Sequence, residues 1–137
     1  MTGVVQSARG REHVHSKMEA AHAKFHVPSA REVDGWVYLT GVMAAHEEGD
    51  GPGYSAGFGR AFEHVAEVLE MAGCCWNDVV AITSHHLDIH AQLQDMAEVK
   101  DLYCNMQPYP AWSILGAASL ANPRGFCEIV VVARAPA

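Results

Sequence analysis

Basic side chains are scarce in this chain: nine lysines and arginines stand against sixteen aspartates and glutamates, a formal net charge of −7 over 137 residues. Affinity for a polyanion comes from clustered cations that displace counterions. Here the nine are scattered and make no basic, aromatic-studded stripe, so nucleic acid is not expected as a partner and a ribonuclease reading is disfavoured. Long apolar runs are also lacking. None reaches the ~18 residues of a membrane span, and no membrane partner is expected. Met1 to Lys24 is polar and histidine-rich, without a secretory apolar core. The four cysteines, Cys74, Cys75, Cys104 and Cys127, include an adjacent pair poorly placed to bond each other. Reduced thiols in the cytoplasm are the expectation. No C-x-x-C or H-E-x-x-H spacing accompanies the nine histidines, so no metal and no cofactor are expected.

What is present is a hydrophobic half and only 18% charged residues, the balance of one globular domain. Residues 1–24 have weak periodicity and read as a loosely attached arm; the patterned domain spans 25–137. Ala30 to Val33, Asp34-Gly35 and Trp36 to Thr40 read as a β-hairpin, because Asp-Gly accepts the positive φ angles of a two-residue turn. His46 to Gly53 is an acidic, glycine-rich loop. Phe58, Phe62, Val65, Leu69 and Ala72 recur as one helical stripe, with Ser55 as N-cap and Gly73 as C-cap. Val79 to Leu87 is a strand. Leu93, Met96, Val99 and Tyr103 predict a second helix, capped by Asp88 and ended by Pro108 and Pro110. Trp112 to Ala118 and Cys127 to Ala133 are strands joined by a turn at 122–125.

That order predicts an α/β (α+β) fold: a single mixed sheet with two helices packed on one face. The strands are nearly continuous in apolar residues, so the other face needs a cover too. No further helix is available for it, and a second copy of the chain is the natural cover, giving a homo-oligomer.

Several ordered stretches carry a family resemblance. They are Trp36-Val-Tyr-Leu-Thr-Gly41, Val68-Leu-Glu-Met-Ala-Gly73, Asn77-Asp-Val-Val80, Tyr109-Pro-Ala-Trp-Ser113 and Cys127-Glu-Ile129. Together, over about 25–134, they resemble the RidA/YjgF family of imine and enamine deaminases. The resemblance implies a chorismate-mutase-like fold, a homotrimer, and a cleft between subunits for a small-molecule substrate. It also implies a glutamate at position 128 that positions the attacking water. At position 112 the family typically has an arginine that grips the substrate carboxylate, and this chain has Trp112. That exchange marks a divergent branch, which the His86-Leu-Asp88 stretch also fits.

The residues themselves support a compatible chemistry. A carboxylate in a run as apolar as Cys127 to Ala133 is costly unless paired or used. Glu128 is accordingly the candidate for water or proton handling, against a plain interface salt bridge. Trp112 offers a π face and one N–H donor, suited to a flat or cationic ligand such as an iminium ion, or else simply fills an interface. His86, near the end of a strand bordering the cleft, is the candidate assisting histidine. Arg31 and Arg124 are the cations that would replace the missing arginine in substrate binding. His85 and His86 point to opposite faces and do not chelate one ion. The alternative function is a ligand-binding or protein-partner module that keeps the trimer and has lost the chemistry.

Overall fold

The computed structural model describes residues 3–137; positions 1 and 2 of the expected arm lie outside them. A single mixed sheet carries three helices. The strands are β1 (Val4–Ser7), β2 (Gly10–His13), β3 (Ala30–Val33), β4 (Trp36–Leu39), β5 (Val42–Ala45), β6 (Val79–His86), β7 (Ala111–Gly116) and β8 (Gly125–Arg134). The helices are α1 (Glu19–Phe25), α2 (Ser55–Met71) and α3 (Ile89–Tyr103). The sheet order is β1-β2-β3-β4-β8-β6-β7, and β5 also pairs with β8.

The Asp34-Gly35 hairpin forms as its sequence requires, with φ of 51° and 81° at the two turn residues. The φ of 81° at Gly35 is what favours glycine there; an added Cβ would also meet the Arg134 guanidinium at 1.5 Å, though that is the free end of a flexible side chain. Strand β8 is the centre of the sheet. Its ten residues exceed any one antiparallel neighbour on that side, so β4 pairs with its C-terminal part and β5 with its N-terminal part. Strand β5 was not expected. Gly41 interrupts a longer strand rather than ending it, and four residues of VMAA carry too little alternation to be seen alone.

Helix α2 turns Phe58, Phe62, Val65 and Leu69 onto the sheet, all fully buried, as the stripe predicts. Ser55 is its first residue instead of its cap: the cap is Tyr54, whose amide is held by Asp95 Oδ2 of α3 at 2.8 Å. Gly73 follows the C-cap with φ of 75°. Asp88 caps α3 through Ala91 N–H. The helices α2 and α3 pack together, and one core under them takes in Ile82, Met96, Ile129 and Val131.

The segment set apart as an arm joins the same sheet. β1 and β2 extend it past β3, and the third helix, α1, follows. Histidine–carboxylate contacts tie this segment down: His13 Nε2 to Glu32 at 2.9 Å, His15 Nε2 to Glu67 at 2.7 Å and His22 Nε2 to Glu12 at 2.8 Å. Two of these reach outside the segment, beside the β2–β3 backbone ladder and buried Val14, and polar contacts of this kind leave no hydrophobic periodicity to read. No described helix is long and apolar enough to cross a membrane.

Candidate functional site

Strand β8 alternates strictly. Cys127, Ile129, Val131 and Ala133 are fully buried under the helices, so Glu128, Val130 and Val132 turn to the opposite face. Glu128 is half-buried there, opposite Met43 of β5 and His85 of β6. Its carboxyl group lies over Gly41, where a Cβ would sit 2.5 Å from Glu128 Cδ and 2.7 Å from Oε1. The break between β4 and β5 thus gives the carboxylate its space.

Gly41 also borders a cavity of about 430 Å³ between β5 and α2, with Lys17, Thr40, Arg60 and His64 on its walls. Arg60 is fully engaged. It donates to both Asp50 oxygens at 2.8 and 2.7 Å and to the Ala45 carbonyl at 2.9 Å, and pairs with Glu47 at 3.1 Å. This clamp holds the acidic loop 46–53 against α2. The Lys17 ammonium makes no ion pair among the described residues. His64 is half-buried, and burial pushes its pKa below 6.5, with His15 and Lys17 adding in the same direction.

The Asp50 carboxyl is held down to about 2, from an ordinary 3.8, chiefly by its hydrogen bonds from Arg60 and the Glu47 amide. A depressed carboxylate stabilises the fold above its unfolded value and ceases to do so as pH falls through the folded one. Asp50→Asn is therefore expected to flatten the stability loss between about pH 4 and pH 2, read in urea titrations. An unchanged acid limb would show that the clamp does not hold the loop in solution.

Trp112 and His86 lie on the other side of the sheet from Glu128. Trp112 Nε1–H donates to Ser84 Oγ at 2.9 Å, and Lys100 Nζ stands 5.0 Å from its ring centroid. Ser84 Oγ is 2.8 Å from His86 Nε2, and His86 Nδ1 is 2.8 Å from Gln92 Oε1. The proton pattern is self-consistent. Nδ1–H donates to Gln92, the bare Nε2 accepts from the Ser84 hydroxyl, and the Ser84 oxygen accepts from Trp112. Burial lowers the His86 pKa, which agrees with a neutral ring. The chain has the outline of a Ser–His–Gln relay, but Ser84 and His86 are both 0% exposed, so no substrate reaches it.

Within one chain, then, Trp112 and Glu128 do not line one crevice, and His86 does not border it. Period two decides this: His86 pairs with inward Cys127, and His85 pairs with Glu128. His85 is the histidine of that strand beside the carboxylate. Arg31 is exposed at the far end of the sheet, where its guanidinium donates to the Arg9 carbonyl. Its partner Tyr38 pairs with Val132, a full four residues along β8 from Glu128. Arg124 is exposed in the turn before β8 and borders a different, shallow depression with His46 and Phe126. Neither arginine meets Glu128. Sequence reasoning missed Lys17, His64 and Arg60, since nothing local links the residues 16–18 turn to α2.

The profile of a family described as Endoribonuclease L-PSP matches residues 15–135. The RutC family protein YjgH of Escherichia coli (strain K12) is 33% identical over 102 residues, 73% of this chain and 76% of that one. The chain belongs to the RidA/YjgF family. A solved structure of protein YjgH superposes with a TM-score of 0.74 at 28% identity, covering 99% of this chain and 97% of that one. RidA from the Antarctic bacterium Psychrobacter sp. superposes at 0.70 with 22% identity, covering 97% and 99%. A YjgF-family protein of Mycobacterium tuberculosis reaches 0.77 at 18% identity, covering 90% and 97%. These last two likenesses speak for the fold.

Proposed function

We propose that the protein hydrolyses a small imine or enamine at the Gly41–Glu128 junction, releasing ammonia and a carbonyl product. The carrying observation is the half-buried Glu128 carboxyl seated over side-chain-free Gly41, between Met43 and His85 on the sheet face turned away from the helices. In the reaction, water adds to the carbon of the protonated imine as Glu128 takes one of its protons, giving a carbinolamine. Glu128 passes that proton to the nitrogen, the C–N bond breaks as the oxygen lone pair forms the C=O bond, ammonia leaves, and the hydroxyl proton returns to the Glu128 carboxylate. The family's association with imine and enamine deamination supports the same reading.

Charge selects the substrate. With Trp112 donating to Ser84 on the far side of the sheet, this chain offers no arginine clamp at that position for a carboxylate. Glu128 instead makes its own surroundings favourable to a protonated, iminium-like group. The open sheet face keeps Trp36, Tyr38 and Leu115 exposed at 38, 49 and 48%. We read this face as covered by further copies in a homotrimer, with Glu128 in the crevice between subunits. The four unpaired cysteines suit a cytoplasmic setting.

The test is the decay of freshly generated imines, with and without a carboxylate group, followed by absorbance. The purified protein is expected to accelerate the carboxylate-free imine the most. Glu128→Gln is expected to lose roughly 10²–10⁴ of that rate. No acceleration over buffer for any imine would sink the enzyme reading and leave the family fold as a binding module.

A further inference from the structure

His15, His64 and Glu67 turn one donor atom each into a common volume, all within 4.8 Å of one another. Helix α2 supplies His64 and Glu67, whose spacing of three puts them on one helix face. His15 comes from the buried start of the 3-10 turn Ser16–Met18 and is only 4% exposed. The two imidazole rings stand 4.7 Å apart, edge to face. The Nδ1 atom of His64 is buried without a hydrogen-bond partner, an uncommon state for a polar atom in a packed interior. The same histidine borders the 430 Å³ cavity, so the cluster sits at its edge.

We propose that His15, His64 and Glu67 bind a divalent transition-metal ion of the zinc, cobalt or nickel class at the edge of that cavity. Two imidazole nitrogens and one carboxylate oxygen suit such ions and disfavour magnesium and calcium, which take oxygen donors. The remaining coordination positions are left to water or to a small ligand in the cavity. An ion there would pin residues 15–18 to α2.

Loading exchanges contacts in a definite way. Without an ion, His15 Nε2–H donates to Glu67 Oε1 at 2.7 Å, and its Nδ1 accepts from the Lys17 amide at 3.1 Å. Metal at Nε2 moves the ring proton to Nδ1, so both contacts are given up. Metal–ligand bonds of about 2.0–2.1 Å put two ligand atoms roughly 3.3 Å apart. The His15–Glu67 pair therefore opens by about half an ångström, and the wider pairs close. The Lys17 ammonium acts on both His64 and Glu67 and opposes a cation. Removing it is expected to tighten binding.

The experiment uses the untagged full chain, stripped with chelator, titrated with Zn²⁺ by calorimetry and with Co²⁺ by visible absorption. One ion per chain is expected, with Co²⁺ d–d bands. His64→Ala and Glu67→Ala are each expected to weaken binding more than about a hundredfold, because even an outer partner of a metal ligand is worth 10- to 100-fold. Lys17→Ala should tighten it several-fold. His22→Ala, in a separate histidine–carboxylate pair, should change nothing. Circular dichroism confirms that each variant is folded. No saturable ion, or binding that survives both His64→Ala and Glu67→Ala, overturns the proposal. Neither readout depends on imine turnover, so the two proposals stand or fall separately.

Discussion

A His86→Ala variant is expected to lose about 3–5 kcal/mol of stability while leaving Glu128 in place. Two effects combine. The imidazole is fully buried beneath the helices, so its removal leaves a cavity that close-packed neighbours fill only in part. It is also the middle link between Ser84 and Gln92, both buried, so two polar groups lose partners at once. A buried polar group without a partner costs on the order of 1–3 kcal/mol. The shift should appear as a lower urea midpoint at an unchanged slope. A loss under about 1 kcal/mol would mean that the Trp112–Ser84–His86–Gln92 chain is not closed in solution.

The same burial predicts a pH response. The His86 and His64 pKa values are both pulled down by desolvation. The unfolded chain takes up protons near the usual histidine value of about 6.5, whereas the folded one resists. Stability from these groups is thus complete above about pH 6.5 and drains away as pH falls below it. A His64→Asn variant should show a shallower fall between about pH 6.5 and 5.

The second large effect concerns Gly41. Gly41→Ala is expected to cost activity on imines nearly as much as Glu128→Gln does, roughly 10²–10⁴ in kcat, with little change in stability. The added methyl would fall within 2.7 Å of three Glu128 side-chain atoms, Cγ and the carboxyl Cδ and Oε1. That group is the free end of a flexible side chain, so it swings away instead of forcing the backbone apart. General-base catalysis requires the carboxylate within hydrogen-bond reach of the water it deprotonates, and an ångström of displacement removes much of that advantage. Steady-state kinetics beside thermal melts would check it. An active Gly41→Ala protein would show that the Glu128 carboxylate does not work from its seat over Gly41.

Legibility in the sequence followed interaction range. The Asp34-Gly35 turn, the α2 stripe through Phe58 and Leu69, and the Asp88 cap were all readable because each is fixed within one turn or a few turns of chain. The hairpin of β1 and β2 was not, because its two four-residue strands are mostly exposed and join the sheet through backbone pairing and the His13–Glu32 contact, none of which leaves a periodic signature. Strand β5 escaped for another reason: its four residues form a strand only because β8 offers them a partner.

The amino-acid order by itself determined the family, the mixed sheet with α2 and α3 packed together, and the singular carboxylate on the last strand. Alternation also guaranteed that His85 and His86 would part company. Which of them would face Glu128 was decided only by the register of β6 against β8, since a one-residue slip exchanges the two sides of a strand. Tertiary structure alone turned Trp112 toward Ser84 and away from Glu128. It likewise set His15 against Glu67 across 52 residues of chain, a proximity that no local pattern encodes because the intervening strands and helix must fold first.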